Sequence, residues 1–177
     1  MHRATLLTGS NSPLRLARLQ AAAEGVAKRV GEVVEHSQIY SSPAWGFQAE
    51  GEFCNQALVV ATSLSPHELL EAVLDIEREV GRNRVAEAEE KSLTGQRYAS
   101  REIDIDIIFY DDAVVDTPTL KVPHPLMHER EFVLRPLCEI MPERRHPVLG
   151  CTIRELLEAC GSVPRSMPPF STPCHRA

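Results

Sequence analysis

Residues 101–110 read Arg101-Glu102-Ile103-Asp104-Ile105-Asp106-Ile107-Ile108-Phe109-Tyr110, and the alternation in them decides the fold. Ile103, Ile105 and Ile107 interleave with Asp104, Asp106 and Ile108, which is the period of a strand, so residues 102–110 form the clearest strand of the chain. Residues two apart on a strand project to one face, which puts Asp104 and Asp106 side by side with roughly 7 Å between their Cα atoms. The isoleucines fill the opposite, buried face. Aspartate is a poor strand former, and two carboxylates aimed into one space repel unless something positive sits between them. Magnesium takes one or two carboxylates together with water and substrate phosphates. On spacing alone the pair reads as a magnesium site or as a solvated strand face.

The segments on either side supply the rest of a small α+β domain. Residues 3–7 are a first strand ending in the turn cluster Thr8-Gly9-Ser10-Asn11, and Ser12-Pro13 is an N-cap and first helical position for an alanine-rich helix closed by Gly31. Residues 33–40 are strand-like, 41–52 a long loop, and 53–61 a strong strand. Ser65-Pro66-His67-Glu68 is a capping box, opening a helix whose buried stripe is Leu69, Val73, Ile76 and Val80 and whose end is Gly81. Residues 82–100 form a polar loop without apolar periodicity. After the 102–110 strand come a turn at Asp111-Asp112, a short strand at Val114-Val115, helical material at 129–140 interrupted by Pro136, and a last helix at 152–160 capped by Thr152 and Glu155. The order strand–helix–strand–strand–helix–strand predicts a ferredoxin-like βαββαβ core, an antiparallel sheet with helices packed on it. Residues 1–161 make one domain, and the proline-rich stretch 162–177 is an irregular or disordered tail.

Bulk composition narrows the function classes. The 177 residues suit one core, hydrophobic residues make up 43% and charged residues 25%, and no run approaches a membrane span. The first residues lack a basic-then-apolar pattern, so a cytoplasmic home is expected. Five cysteines, odd in number and without a CxxC pair, argue against a disulfide framework or structural zinc. A net charge of −6 argues against a general nucleic-acid surface.

Arginines bracket the aspartates in sequence: Arg82 and Arg84 follow the second helix, and Arg101 precedes Asp104 by three residues. Guanidinium groups hold phosphate bidentately and keep their charge, so with a metal they equip a site for phosphoryl transfer; Glu87, Glu89 and Glu90 in the same stretch leave a solvated charged loop as the alternative. His124, in Val122-Pro123-His124-Pro125, is rigidly presented for a ligand contact or is structural. Asn55 places an amide on an apolar strand and needs partners there. No Walker loop, GxGxxG or Cys/His nucleophile pattern occurs. A polymerase- or cyclase-like palm would also carry a carboxylate pair on such a sheet. A ferredoxin-like binding module would instead want a basic, aromatic sheet face.

The ordered set of motifs resembles the 6-hydroxymethyl-7,8-dihydropterin pyrophosphokinases of folate biosynthesis. It comprises Gly9-Ser10-Asn11, Tyr40-x-Ser42-Pro43-x-x-Gly46, Phe53-x-Asn55, Gly81-Arg82-x-Arg84, Arg101-x-Ile103-Asp104-Ile105-Asp106-Ile107 and Val122-Pro123-His124, continued by Arg130, Phe132 and Pro136-Leu137. The resemblance implies an attack by the pterin hydroxymethyl oxygen on the β-phosphorus of ATP, with AMP leaving. It also implies that Asp104 and Asp106 coordinate two magnesium ions, and that Arg82 and Arg101 stabilise charge on the phosphates. For the nucleotide it points to Glu77, Arg84, Tyr98, Arg101, Ile107, Lys121, His124 and Arg130. For the pterin it points to Ser42, Pro43, Trp45, Phe53, Asn55 and Phe132, a set whose amide and aromatic faces suit a flat heteroaromatic ring. Tyr98 stands where many relatives carry tryptophan, Phe53 replaces a frequent tyrosine and Ser42 a frequent threonine. The implied partners are ATP and 6-hydroxymethyl-7,8-dihydropterin, with no nucleic acid and no membrane, for a monomeric protein. The polar 82–100 loop suggests a lid over ATP.

Overall fold

The computed structural model describes residues 1–42, 52–85, 88, 92 and 101–161. Its main sheet is built from β1 (His2–Ser10), β2 (Gly31–His36), β3 (Tyr40–Ser42), β4 (Phe53–Thr62) and β5 (Asp104–Tyr110), every pair antiparallel, in the order β2–β4–β1–β5 with β3 also against β4. This is the ferredoxin-like α+β arrangement, with β1 central and β5 at an edge. Helices α1 (Arg15–Arg29) and α2 (Pro66–Val80) follow β1 and β4. Strands β6 (Val115–Asp116) and β7 (Lys121–Val122) pair separately. A short 3₁₀ turn (Met127–Glu129) leads into α3 (Glu131–Ile140), and α4 (Ile153–Gly161) is the last described element. Among the described residues no helix is long and apolar enough to cross a membrane.

Local chemistry sets the ends of α2. Ser65 Oγ accepts from Glu68 N at 3.4 Å while Glu68 Oε2 accepts from Ser65 N at 2.8 Å, which is the reciprocal capping box read from the sequence. Gly81 ends the helix with φ at +114°, a left-handed conformation that side chains resist. The stripe Leu69, Val73, Ile76 and Val80 is buried, each such side chain contributing about 1.5–3 kcal/mol.

Both faces of the sheet are covered. Ala4, Leu6, Leu58, Val60, Ile103, Ile105 and Ile107 pack with α1 and α2, whereas Leu7, Ala57, Ile108 and Phe109 pack with Met127, α3 and α4. The β1–β5 register shifts between Thr5 and Leu6, so Thr5 pairs with Phe109 and Leu6 with Ile107. Ile108 is the extra residue of this bulge, and Tyr110 therefore returns to the isoleucine face.

Several boundaries differ from the sequence expectation. Residues 33–40 are not one strand: β2 ends at His36, and Ser37 interrupts it by accepting Ala57 N–H on its hydroxyl at 3.0 Å. Ser41 and Ser42, expected in a loop, belong to β3. The first helix begins at Arg15, and Ser12 is not its cap; the Ser12 hydroxyl donates to Glu102 Oε2 at 2.9 Å. Pro136 does not break α3, because buried Val133, Leu134 and Leu137 hold the helix through it. Of the expected 82–100 loop, Arg84, Val85, Ala88 and Ser92 are helical; beyond Asn83 the remainder lies outside the described residues, as does the 162–177 tail.

Candidate active site

Asp104 and Asp106 leave β5 on the face of Ile108 and the α3–α4 layer, near its open end. In the β1–β5 register Asp106 opposes Leu7 and Asp104 opposes Gly9. Gly9 in turn opposes Asn55, and Asn55 opposes Tyr40. Asp104, Gly9 and Asn55 thus form one row across β5, β1 and β4, with the carboxylate and the amide on one face and about 10 Å between their Cα atoms. The absence of a side chain at Gly9 makes room for the amide, since a Cβ there would stand 2.8 Å from Asn55 Oδ1. Asn55 is buried and its Nδ2 donates to buried Ser42 Oγ at 3.0 Å.

Asp104 carries an arginine on each oxygen. Arg82 Nη1 donates to Asp104 Oδ1 at 2.6 Å, and Arg101 donates to Asp104 Oδ2. Arg82 is buried and also donates to Glu77 Oε1 at 2.7 Å. Glu77 organises this cluster from α2. Its Oε1 accepts the Ile105 N–H at 2.8 Å, satisfying the open edge of β5, and its Oε2 accepts from Arg84 at 2.7 Å. The sequence held the signal for this: Glu77 falls four residues after Val73, inside the apolar stripe.

The two aspartates differ in charge state. Burial acts to raise the Asp104 pKa, but Arg101 and then Arg82 outweigh it and hold the carboxyl below its ordinary value. Asp106 is pushed up to about 7 by burial and by the Asp104 charge, with Arg101 and Arg130 only partly offsetting them. Among the described residues none donates a hydrogen bond to Asp106. A half-buried carboxylate that shares a face with a second one, and to which no described residue donates, fits a hard divalent cation. Among the described residues no group of three or more His, Cys, Asp or Glu gathers into a closed metal cage. For Glu77, burial and then Asp104 raise the pKa, while Arg82, the Ile105 amide and Arg84 pull it down.

His124 borders the same strand, its N–H donating to Ile108 O at 3.1 Å. Its Nδ1 accepts the Leu126 N–H at 3.2 Å, which leaves the ring proton on Nε2. Burial and then the Arg130 charge lower its pKa to about 4. Arg130 lies 5.8 Å from the Phe132 ring centroid, and Phe132 and Phe53 are half-buried. Lys121 is exposed and pairs with Asp116. The Ile107 side chain lies in the core on the face opposite the aspartates. Pro43, Trp45 and Tyr98 lie outside the described residues. The structure therefore brings together Glu77, Arg82, Arg84, Arg101 and Asp104, with Asp106 and His124 beside them and Asn55 and Ser42 along the row.

Residues 5–142 match the family model described as 7,8-dihydro-6-hydroxymethylpterin-pyrophosphokinase. The chain is 40% identical over 147 residues to the 2-amino-4-hydroxy-6-hydroxymethyldihydropteridine pyrophosphokinase of Aquifex aeolicus, covering 83% of this chain and 85% of that protein. It is also 40% identical over 158 residues to the Methylorubrum extorquens protein of the same name, covering 89% and 92%. Among solved structures it resembles wild-type Plasmodium falciparum HPPK-DHPS, with a TM-score of 0.67 at 17% identity over 91% of this chain. The same wild-type protein with pteroate gives a TM-score of 0.71 at 15% identity. The chain spans 45% and 44% of those longer chains, and the likeness shows the shared fold.

Proposed function

Because the chain belongs to the 7,8-dihydro-6-hydroxymethylpterin-pyrophosphokinase family, we propose that the Asp104–Gly9–Asn55 row is where its two substrates meet. The protein is a pyrophosphokinase of folate biosynthesis: it transfers diphosphate from ATP to the hydroxyl of 6-hydroxymethyl-7,8-dihydropterin and releases AMP. The observation that carries the assignment of the site is the row itself, which sets a buried amide and a carboxylate on one face, with two arginines converging on Asp104.

In this reading Asp104 and Asp106 hold two magnesium ions, for which the donor-poor carboxylate at Asp106 is fitted. Bound there, magnesium supplies charge neutralisation of the phosphates and orientation of the attacking hydroxyl. Arg82 and Arg101 present fixed positive charge to the diphosphate as its bond to AMP breaks and its bond to the pterin oxygen forms. Glu77 keeps Arg82 and Arg84 aimed at that charge, and His124 offers a neutral Nε2–H donor. Arg130 and Lys121 add charge for the nucleotide, with Tyr98 stacking on it and Ile107 beside it. Asn55 and Ser42 address the polar edge of the pterin, whose faces Phe53 and Phe132 flank; Pro43 and Trp45 complete that pocket. The reading extends to a cytoplasmic monomer whose domain is residues 1–161.

The test is AMP formation from ATP with each component omitted in turn. Turnover that needs both hydroxymethyl-dihydropterin and magnesium supports the reading, and ATP turnover without the pterin overturns it.

A further inference from the structure

We propose that Arg18 is a positioning residue for this reaction, a clamp from α1 that sets the spacing of the segments bearing Arg82 and Arg101. Its guanidinium contacts both segments at once. Arg18 Nη1 donates to the carbonyl of Val80, two residues before Arg82, and Arg18 Nε donates to Glu102 Oε2 at 3.0 Å, the residue after Arg101. The group lies flat against Gly81, where a Cβ would come within 3.3 Å of both Nη1 and Nη2. Gly81 thus serves twice, once for its left-handed turn and once to let Arg18 pass.

The Glu102 end is also held by the last residue of β1, Ser10, and by the two residues that follow it. Ser12 Oγ donates to Glu102 Oε2 at 2.9 Å, and Ser10 Oγ donates to the Glu102 carbonyl. Asn11 and Arg101 join through their backbones and the Asn11 side chain, with Arg101 N donating to Asn11 Oδ1 at 2.8 Å. The consequence is geometric. Arg82 and Arg101 grip opposite oxygens of Asp104, and the segments that bear them are joined, through the Val80 carbonyl and the Glu102 carboxylate, by a planar fork whose donors stand at fixed angles. A lysine at this position would keep the charge but reach both partners poorly. Asn55 and Ser42 are anchored through β3 and β4, apart from the clamp.

The inference rests on the reading of Arg82 and Arg101 as phosphate-facing groups, and the experiment separates the two. Steady-state kinetics of Arg18→Ala, Arg18→Lys and Glu102→Gln are set beside Arg82→Ala and Arg101→Ala, with unfolding temperatures for all. Arg18→Ala is expected to lower kcat by about ten- to a hundredfold through misplacement, with the pterin KM within about twofold, and Arg18→Lys to recover part of it. In the Arg101→Ala background, Arg18→Ala is expected to cost less than about twofold more, because the spacing it sets no longer joins two phosphate-facing arginines. Should Arg18→Ala fail to fold, Glu102→Gln carries the same comparison with one partner of the fork weakened. Wild-type kcat in folded Arg18→Ala, or in Glu102→Gln where only that variant folds, overturns the clamp while leaving the phosphate reading intact. So does a full, independent loss in the Arg101→Ala background. Wild-type kcat in Arg82→Ala and Arg101→Ala overturns the phosphate reading, and the clamp with it.

Discussion

Gly9 and Asn55 oppose one another across β1 and β4, and the amide of Asn55 occupies the volume that a side chain on Gly9 would fill, 2.8 Å from its would-be Cβ. The constraint is contact with the amide, since Gly9 is not among the residues with positive φ. Gly9→Ala should therefore displace the amide without straining the backbone. If that amide reads the pterin edge, the pterin KM rises by about ten- to a hundredfold, the size of a lost or unpaired buried hydrogen bond. The ATP KM changes little. Steady-state kinetics with each substrate varied will separate the two effects.

Asp106→Asn should lose activity and gain stability in the metal-free protein. The Asp106 carboxyl has its pKa raised to about 7 by burial and by Asp104, so the folded state holds a proton that the unfolded chain releases. For a carboxyl raised on folding, stability falls as pH rises from the ordinary carboxylate range toward about 7. The asparagine removes that slope, and its unfolding temperature above neutral pH should equal or exceed the wild type, while kcat drops by about 10²–10³-fold. Thermal unfolding across pH 4–8, about the interval of the shift, checks the sign.

His124 should stay neutral far below the usual imidazole range. Its Nδ1 accepts from Leu126 N–H, and burial with Arg130 lowers its pKa to about 4. Its contribution to stability is present above the ordinary imidazole value and is lost as pH falls from there to about 4. A nitrogen-detected NMR titration should find the Nε2–H tautomer at neutral pH and no protonation until near that lower value. A midpoint near the ordinary value would contradict the burial argument.

Glu77→Ala should be costly to the fold. Arg82 and Glu77 are both buried, and the change strips Arg82 of one partner, Arg84 of its carboxylate and Ile105 of its acceptor. Breaking a buried pair by removing one side costs about 3–5 kcal/mol. Urea unfolding measures it, and a loss of under about 1 kcal/mol would mean the cluster is not held as described.

β5 was legible in the sequence because alternation is a local property, and α2 was legible because its capping box and its glycine are local too. What depends on register was not. Nothing in residues 53–61 alone says that Asn55 will face Asp104 across Gly9, because one residue of slip would reverse the face. The second helical layer was hidden for a similar reason: the apolar stripes of α3 and α4 say that each buries a face, not which side of the sheet receives it. Ile108-Phe109 did carry a sign of the bulge, two adjacent large apolar residues where alternation asks for one. Arg18 gave none. Its role arises only when α1, the end of α2 and the start of β5 meet, and in sequence it reads as one more exposed helical arginine.

Whether diphosphate transfer occurs at the Asp104–Asp106 face is decided by quantifying AMP released from ATP by wild type and Asp104→Ala. Both proteins are assayed with saturating hydroxymethyl-dihydropterin and magnesium, after each is shown to be folded. AMP release by the wild type is expected to cease when either the pterin or magnesium is withheld, and to fall on the order of 10²-fold or more in the variant. Wild-type AMP release from folded Asp104→Ala would contradict transfer at that face.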